Sequence, residues 1–214
     1  CRIYTVQQAD LAGNVSTPTA VRVRVDTVAP AGLDLSDALA GTQLTLSKQT
    51  TSTAEVSGVA WLDTVRAPLN TDIQTIQVVL SGAGLKPNAD TVAFSTTAGA
   101  TPPAALPLNT SASVAGVSIG GVSVDYSYTD STQTLRISKH DGQAFTGDEV
   151  RSVLHALQLK NANPNAVASA GDRVASFTLI DQAGWSSAVA TATLGVFNDT
   201  LSLDLDSITT GTQS

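Results

Sequence analysis

Methionine is missing from this chain altogether, cysteine occurs once, histidine twice, and Phe, Trp and Tyr together supply only 4% of the residues. Each shortage excludes something. The single Cys1 cannot close an internal disulfide, and one Cys with His140 and His155 cannot assemble a closed zinc site. There is no phosphate-binding Gly-rich loop with its Lys and no dinucleotide fingerprint. No apolar run is long enough to read as a membrane-spanning helix. With no Met and no secretory leader pattern, the sequence reads as an internal segment of a longer chain. So few aromatics leave a core to Val, Leu, Ile and Ala. Charged residues are 14%, well under the usual quarter. Thr, Ser, Ala, Asn and Gly fill the gap, as on the exposed faces of secreted β domains. The net charge is -7, and the acid is almost all Asp, with Glu only at 55 and 149. That balance argues against a nucleic-acid partner, whose binders are basic, and suits a solvated surface or bound cations.

What the chain does have is a copy of part of itself. At an offset of 171, Arg2, Asp10, Ala12, Gly13, Ser16 and Val25 meet Arg173, Asp181, Ala183, Gly184, Ser187 and Val196. At an offset of 170, Leu33-Asp34-Leu35 and Gly41-Thr42-Gln43 recur as Leu203-Asp204-Leu205 and Gly211-Thr212-Gln213. Two independent matches at nearly one spacing predict a tandem repeat of about 170 residues. The expected division is the closing hairpin and linker of a preceding repeat (1–28), one complete repeat (29–198), and the opening strand of the next (199–214). Cys1 takes the place of Asp172 and reads as local drift, the rival readings being an intermolecular bridge and a lipid-modified first residue.

In order along the chain, 2–25 predicts an antiparallel hairpin with its turn at Asp10 to Asn14 and strict alternation over Val21, Val23 and Val25. Pro30 ends the pairing, because it has no N–H to donate. Leu33 to Leu35 and Gln43 to Leu46 read as opening strands, Ser57-Gly58 as a loop, and Ile73 to Leu80 as a strand irregular at its start. Thr91 to Phe94 is another strand. Thr96 to Leu108 reads as a long loop able to touch a partner. Val122 to Ile137 is a hairpin, with Tyr126 and Tyr128 on one face, and Asp141-Gly142 a tight turn. One helix is expected over Asp148 to Leu159: Val150, Val153, Leu154 and Leu157 form an apolar stripe, and Thr146 with Glu149 makes a capping box. Ser176 to Thr193 closes the repeat with a second hairpin. The predicted fold is all-β, an antiparallel β-sandwich enlarged beyond the usual size, with one short helix.

The run Tyr4-Thr-Val, Ala9-Asp10-Leu-Ala-Gly-Asn14-Val-Ser16, and Val21-Arg-Val-Arg-Val-Asp26-Thr-Val-Ala-Pro30 resembles the last strands and linker of bacterial Ig-like and cadherin-like repeats. Asn70 to Leu80, Asp148 to Leu159, Asn161 to Pro164 and Asp172-Arg173 extend the likeness over nearly the whole chain. The resemblance implies an extracellular, cell-surface location in a large adhesin or biofilm protein, and calcium at the junctions between repeats.

Catalysis is not indicated. Gly116-Val-Ser118-Ile-Gly120 matches the spacing of a hydrolase nucleophile elbow, but an alternating strand follows it where that chemistry needs a helix. His140 and His155 read as surface or flanking residues. Calcium is the serious chemical candidate, since hard cations take several carboxylate and carbonyl oxygens. Asp10, Asp26 and Asp34 lie in sequence near one junction, and Asp181, Asp199 and Asp204 near the other. The alternative for the same residues is turn capping and solubility. The preferred functional expectation is a non-enzymatic extender repeat, stiffened by calcium and partnered by neighbouring repeats. Two alternatives stay open. One is a module binding a surface glycan or protein, with the 96–108 stretch or the Tyr126/Tyr128 face as its surface and Trp61 and Trp185 as the aromatics best suited to stacking on a sugar. The other is a strand-swapped subunit of a filament of identical chains.

Overall fold

A computed structural model describes residues 2–23, 28–33, 35, 43–49, 56–60, 72–95, 103–161 and 171–197. Three sheets hold the described strands. The smallest is the N-terminal hairpin, β1 (Arg2–Val6) with β2 (Thr19–Val23). The largest has seven strands: β3 (Gln43–Gln49), β13 (Ala190–Phe197), β12 (Gly171–Asp181), β5 (Ile73–Ser81), β10 (Thr134–Lys139), β9 (Val122–Thr129) and β8 (Ala112–Ile119), in that spatial order. The third runs β4 (Val56–Ala60), β11 (Leu157–Asn161), β6 (Asp90–Phe94) and β7 (Leu106–Pro107). Every pairing is antiparallel except β3 on β13, which is parallel. The protein is thus mostly antiparallel β-sheet with a single described helix, as its composition and alternation require.

The four- and seven-stranded sheets share one core. Ile76, Val78, Leu80, Val124, Tyr126, Leu135, Ile137, Phe177 and Leu179 come from the larger, and Val92, Phe94, Leu106, Leu157 and Leu159 from the smaller. Phe94 and Tyr126 meet across it with ring centroids 5.4 Å apart. Strand alternation does the sorting: in β12 every second residue from Arg173 to Asp181 is buried. The helix, α1 (Gly147–Ala156), adds Val150, Val153 and Leu154 to the same core. Thr146 starts it with the expected box, its Oγ1 accepting from the Glu149 N–H and its own N–H donating to the Glu149 carboxylate at 2.7 Å.

Some expectations need correction. The helix ends at Ala156, three residues early, because Leu157 to Asn161 pair as β11 with β6 and β4. Ser57-Gly58 lies within β4 and is not a loop. Leu33 and Leu35 are fully buried but belong to no strand. The end of the expected 96–108 loop is also core, with Leu106 and Leu108 buried and β7 paired to β6. Residues 96–102 fall outside the described residues. The irregular start of β5 is a bulge: Ile180 pairs Thr75 and Asp181 pairs Ile73, leaving Gln74 as the extra residue.

The sequence echo is repeated in the backbone. Arg2↔Val23, Ile3↔Arg22, Tyr4↔Val21, Thr5↔Ala20 and Val6↔Thr19 become, 171 residues on, Arg173↔Leu194, Val174↔Thr193, Ala175↔Ala192, Ser176↔Thr191 and Phe177↔Ala190. The isolated bridge Ala9↔Val15 becomes Ile180↔Ser186. Gly13 and Gly184 sit in the left-handed region at φ 86° and 87°, each donating its N–H to the carbonyl of the turn's aspartate. The Ser16 hydroxyl accepts from the Gln8 N–H at 3.0 Å, as the Ser187 hydroxyl does from Leu179. The two hairpins are one structure used twice.

Candidate functional site

The described aspartates of the expected junction sites are Asp10 and Asp181, and they occupy equivalent positions. Asp26, Asp34, Asp199 and Asp204 lie outside the described residues, as does Trp61. Asp10 is spent on its own turn. Its Oδ1 accepts from the Ala12 and Asn14 N–H groups, both at 2.9 Å, and its Oδ2 from Asn14 Nδ2 at 2.9 Å. The Asn14 side-chain bond is the largest of the effects that hold this carboxyl below the usual aspartate range. Asp181 makes the same backbone bond, from the Trp185 N–H at 2.8 Å, but a tryptophan stands where Asn14 would donate. Its Oδ2 is buried and has no hydrogen-bond partner. Of the two, Asp181 alone keeps a buried oxygen without a hydrogen-bond partner.

Each of these turns closes its hairpin, at the end away from the segment that follows. Asp181 therefore lies at the opposite end of β13 from Phe197. This is the end where the linker arrives. Pro30, Leu33 and Leu35 are buried on the domain, and Gly32 lies beside Ala188, where a Cβ would make ordinary contact with the Ala188 methyl at 3.6 Å. Gln74, the bulged residue beside Asp181, also buries an unpartnered oxygen, Oε1. Among the described residues no three acidic, His or Cys side chains gather as a metal cluster.

At the other end of β12 lies a site the sequence did not disclose. Asp90 opens β6, Asn161 closes β11 and Arg173 begins the buried face of β12, and all three side chains are buried. Asp90 accepts from Arg173 Nε at 3.1 Å and Nη2 at 3.2 Å, from the Lys86 N–H at 2.7 Å, and from Asn161 Nδ2. Arg173 also donates to the Gly171 carbonyl at 2.8 Å. Gly82 and Gly84 let the chain after β5 lie against Gly171 and Asp172; a Cβ on either would come within 2.3 Å of their backbone. The recurrence of Arg at 2 and 173 was the one available signal. Four satisfied lone-pair sites and no solvent access make this a fastening of three strands, not a reactive centre.

The chemical alternatives fare differently. Ser118 lies in β8, paired with Ser123, and Gly120-Gly121 turn directly into β9. Gly120 is there because α1 touches it, the Ser152 carbonyl lying 2.2 Å from where a Cβ would go. His155 is exposed. His140 is exposed too, with Nδ1 2.7 Å from Asp125 Oδ1, an oxygen that also accepts from the Gly116 N–H at 2.8 Å. Beside this pair, Thr75, Ser113, Asp125, Ser127, Arg136 and Ser138 line an open groove of about 260 Å³. Tyr126 and Tyr128 belong to the core and present no binding face, a correction to the expected surface. Trp185 is 48% exposed.

No helix among the described residues is long and apolar enough to cross a membrane. No family model matches the chain, and a search of curated proteins finds no match.

Proposed function

We propose that the chain is a segment of a non-enzymatic tandem array whose Ig-like units extend another part of the protein away from a bacterial cell surface. The observation that carries this reading is where the chain joins and leaves the unit. The linker docks beside Ala188, at the closed end of the β12–β13 hairpin, and the chain leaves through Phe197 at its open end. Those points are separated by the length of β13, roughly 24 Å at the usual rise per residue. Units joined in this way add their lengths.

Strand order supports the Ig-like assignment. β3-β13-β12-β5 corresponds to an immunoglobulin sheet A′-G-F-C, including its parallel first pair, and β4-β11-β6 to B-E-D. The strands β7 to β10 and helix α1 are then one insertion between D and E, which accounts for the size of the repeat. Calcium at the linker end would draw on Asp181, the described junction aspartate whose Oδ2 makes no hydrogen bond.

Small-angle scattering of a two-unit chain, with millimolar calcium and then with excess chelator, tests both parts. A rod whose longest dimension nearly doubles that of one unit supports extension, and a compact or freely jointed pair refutes it. Calcium stiffening requires a higher melting temperature with the ion, lost in Asp181→Ala. A second reading, a binding module, is favoured by exposed Trp185 alone. Glycan-array hits abolished by Trp185→Ala would establish it.

A further inference from the structure

The two equivalent hairpins differ in what covers them. β12 is flanked by β5 and β13 by β3, and Ala175, Phe177 and Ala192 are buried to 1% exposure or less. β1 and β2 pair only with each other among the described residues. Their corresponding residues Tyr4, Val6 and Val21 are exposed to 50%, 55% and 43%. Side chains of this kind, alternating on one face of a regular hairpin, carry the pattern of a half-buried strand with its cover missing.

The chain itself shows which strand flanks such a hairpin, the face beneath being covered by the four-stranded sheet. β12 meets β5 with Ala175 opposite Leu80 and Phe177 opposite Val78. The same register places Tyr4 opposite the position of Leu80 and Val6 opposite that of Val78. But the bulk has moved. Ala175 with Ala192 is a row of small residues and Phe177 with Ala190 a large one; in the first hairpin Tyr4 with Val21 is large and Val6 with Thr19 is moderate. The aromatic ring has shifted by two residues, about 7 Å along the strand. Position 175 has no exposed surface, so a tyrosine there would overpack the core, and valine at 177 would leave a void.

We propose that the β1–β2 hairpin docks on a β5-type strand of a diverged sibling unit in the same polypeptide. That strand has a small residue opposite Tyr4 and a larger one opposite Val6. The mismatch bars the hairpin from the place of β12–β13 in this unit. A tandem array faces the hazard of neighbours exchanging equivalent hairpins, and a displaced aromatic at one buried row is a device against it. The same mismatch opposes a strand-swapped filament of identical chains. This inference rests on the tandem reading.

The test extends residues 1–214 at the front with a copy of residues 29–171, so that Cys1 follows Gly171 as Asp172 does. A control chain replaces residues 1–23 by 172–194, restoring the native hairpin to the front copy, and shows that this copy is able to fold. Amide exchange is read for β1 and β2. In residues 1–214 alone these amides exchange faster than those of β12. With a front copy carrying Leu80→Ala and Val78→Phe, they reach the protection of β12. With an unedited front copy they fall short. Equal protection in both extended chains would overturn the selectivity, and protection in neither, with the control folded, would overturn the docking. Tyr4→Ser reads the contact without editing the core: it leaves melting of residues 1–214 unchanged and weakens only the edited extended chain. Scattering of the control chain reports extension separately, so the array reading stands or falls independently.

Discussion

Arg173 holds Asp90 with no solvent at either side chain, Nε 3.1 Å from Oδ2 and Nη2 3.2 Å from Oδ1. Taking both charges out of water is costly, and their attraction with the surrounding bonds about offsets that cost. Removing one partner leaves the other charged and buried. Asp90→Leu is therefore expected to lose about 3–5 kcal/mol, and Arg173→Met a similar amount. The double change Asp90→Leu/Arg173→Met should lose less than either alone. Urea unfolding of the four chains measures the coupling; strictly additive losses would mean that the two residues act independently.

The orphaned oxygen of Asp181 gives the second prediction. Asn14 shows the donor that this turn accommodates, Nδ2 to Asp10 Oδ2 at 2.9 Å. Trp185→Asn supplies that donor to Asp181 and should raise stability by about 1 kcal/mol, the usual net worth of one such bond. Trp185→Ala, which removes the indole without adding a donor, should bring no gain. Equal effects from the two would assign the change to the indole instead.

Helix α1 provides a prediction with a pH dependence. Thr146→Ala should cost about 1 kcal/mol, the typical value of an N-cap. The Thr146 N–H, more than the Lys139 ammonium 3.0 Å away, holds the Glu149 carboxyl below its ordinary range. A carboxyl depressed in the folded state binds its proton more readily when unfolded. Its contribution is complete above the unfolded value and is lost as pH falls through the folded one. The stability difference between the parent and Glu149→Gln should accordingly be greatest near neutrality and shrink in acid. A difference that grows on acidification contradicts this assignment.

Much of this fold was legible because alternation and repetition are local signals. The hairpin at Val122 to Ile137, the capping box and the irregular start of β5 could be read from neighbouring residues alone. What escaped reading depended on partners distant in sequence. Leu157 to Leu159 continue the helical stripe, yet β6 and β4 claim them as a strand. Tyr126 and Tyr128 resemble a sticky face until a second sheet covers them. Asp90 gives no sign that Arg173, 83 residues away, will meet it. Among the aspartates, sequence placed Asp10 and Asp181 at turns correctly. It could not show that Asn14 saturates the first while Trp185 leaves the second short of a donor.

β8 is bulged between Val114, which faces Tyr126, and Val117, which faces Val124, and this bulge supplies the last prediction. Gly116 stands there at φ +68°, a backbone region that side chains with a Cβ disfavour, and donates its N–H to Asp125. That bond, ahead of the contact with His140, lowers the Asp125 carboxyl from its ordinary value. If the order is right, His140→Ala leaves Asp125 titrating below a normal aspartate, and carboxyl NMR across the acid range will show it. Gly116→Ala probes the other partner. Its methyl has room, with the nearest His140 atom at 3.5 Å, so the penalty is conformational, about 1–2 kcal/mol. Relief of that strain would draw the N–H away from Asp125, and the carboxyl should then return toward its ordinary range. A return in His140→Ala instead would make the histidine, not the bulge, the group that holds the acid.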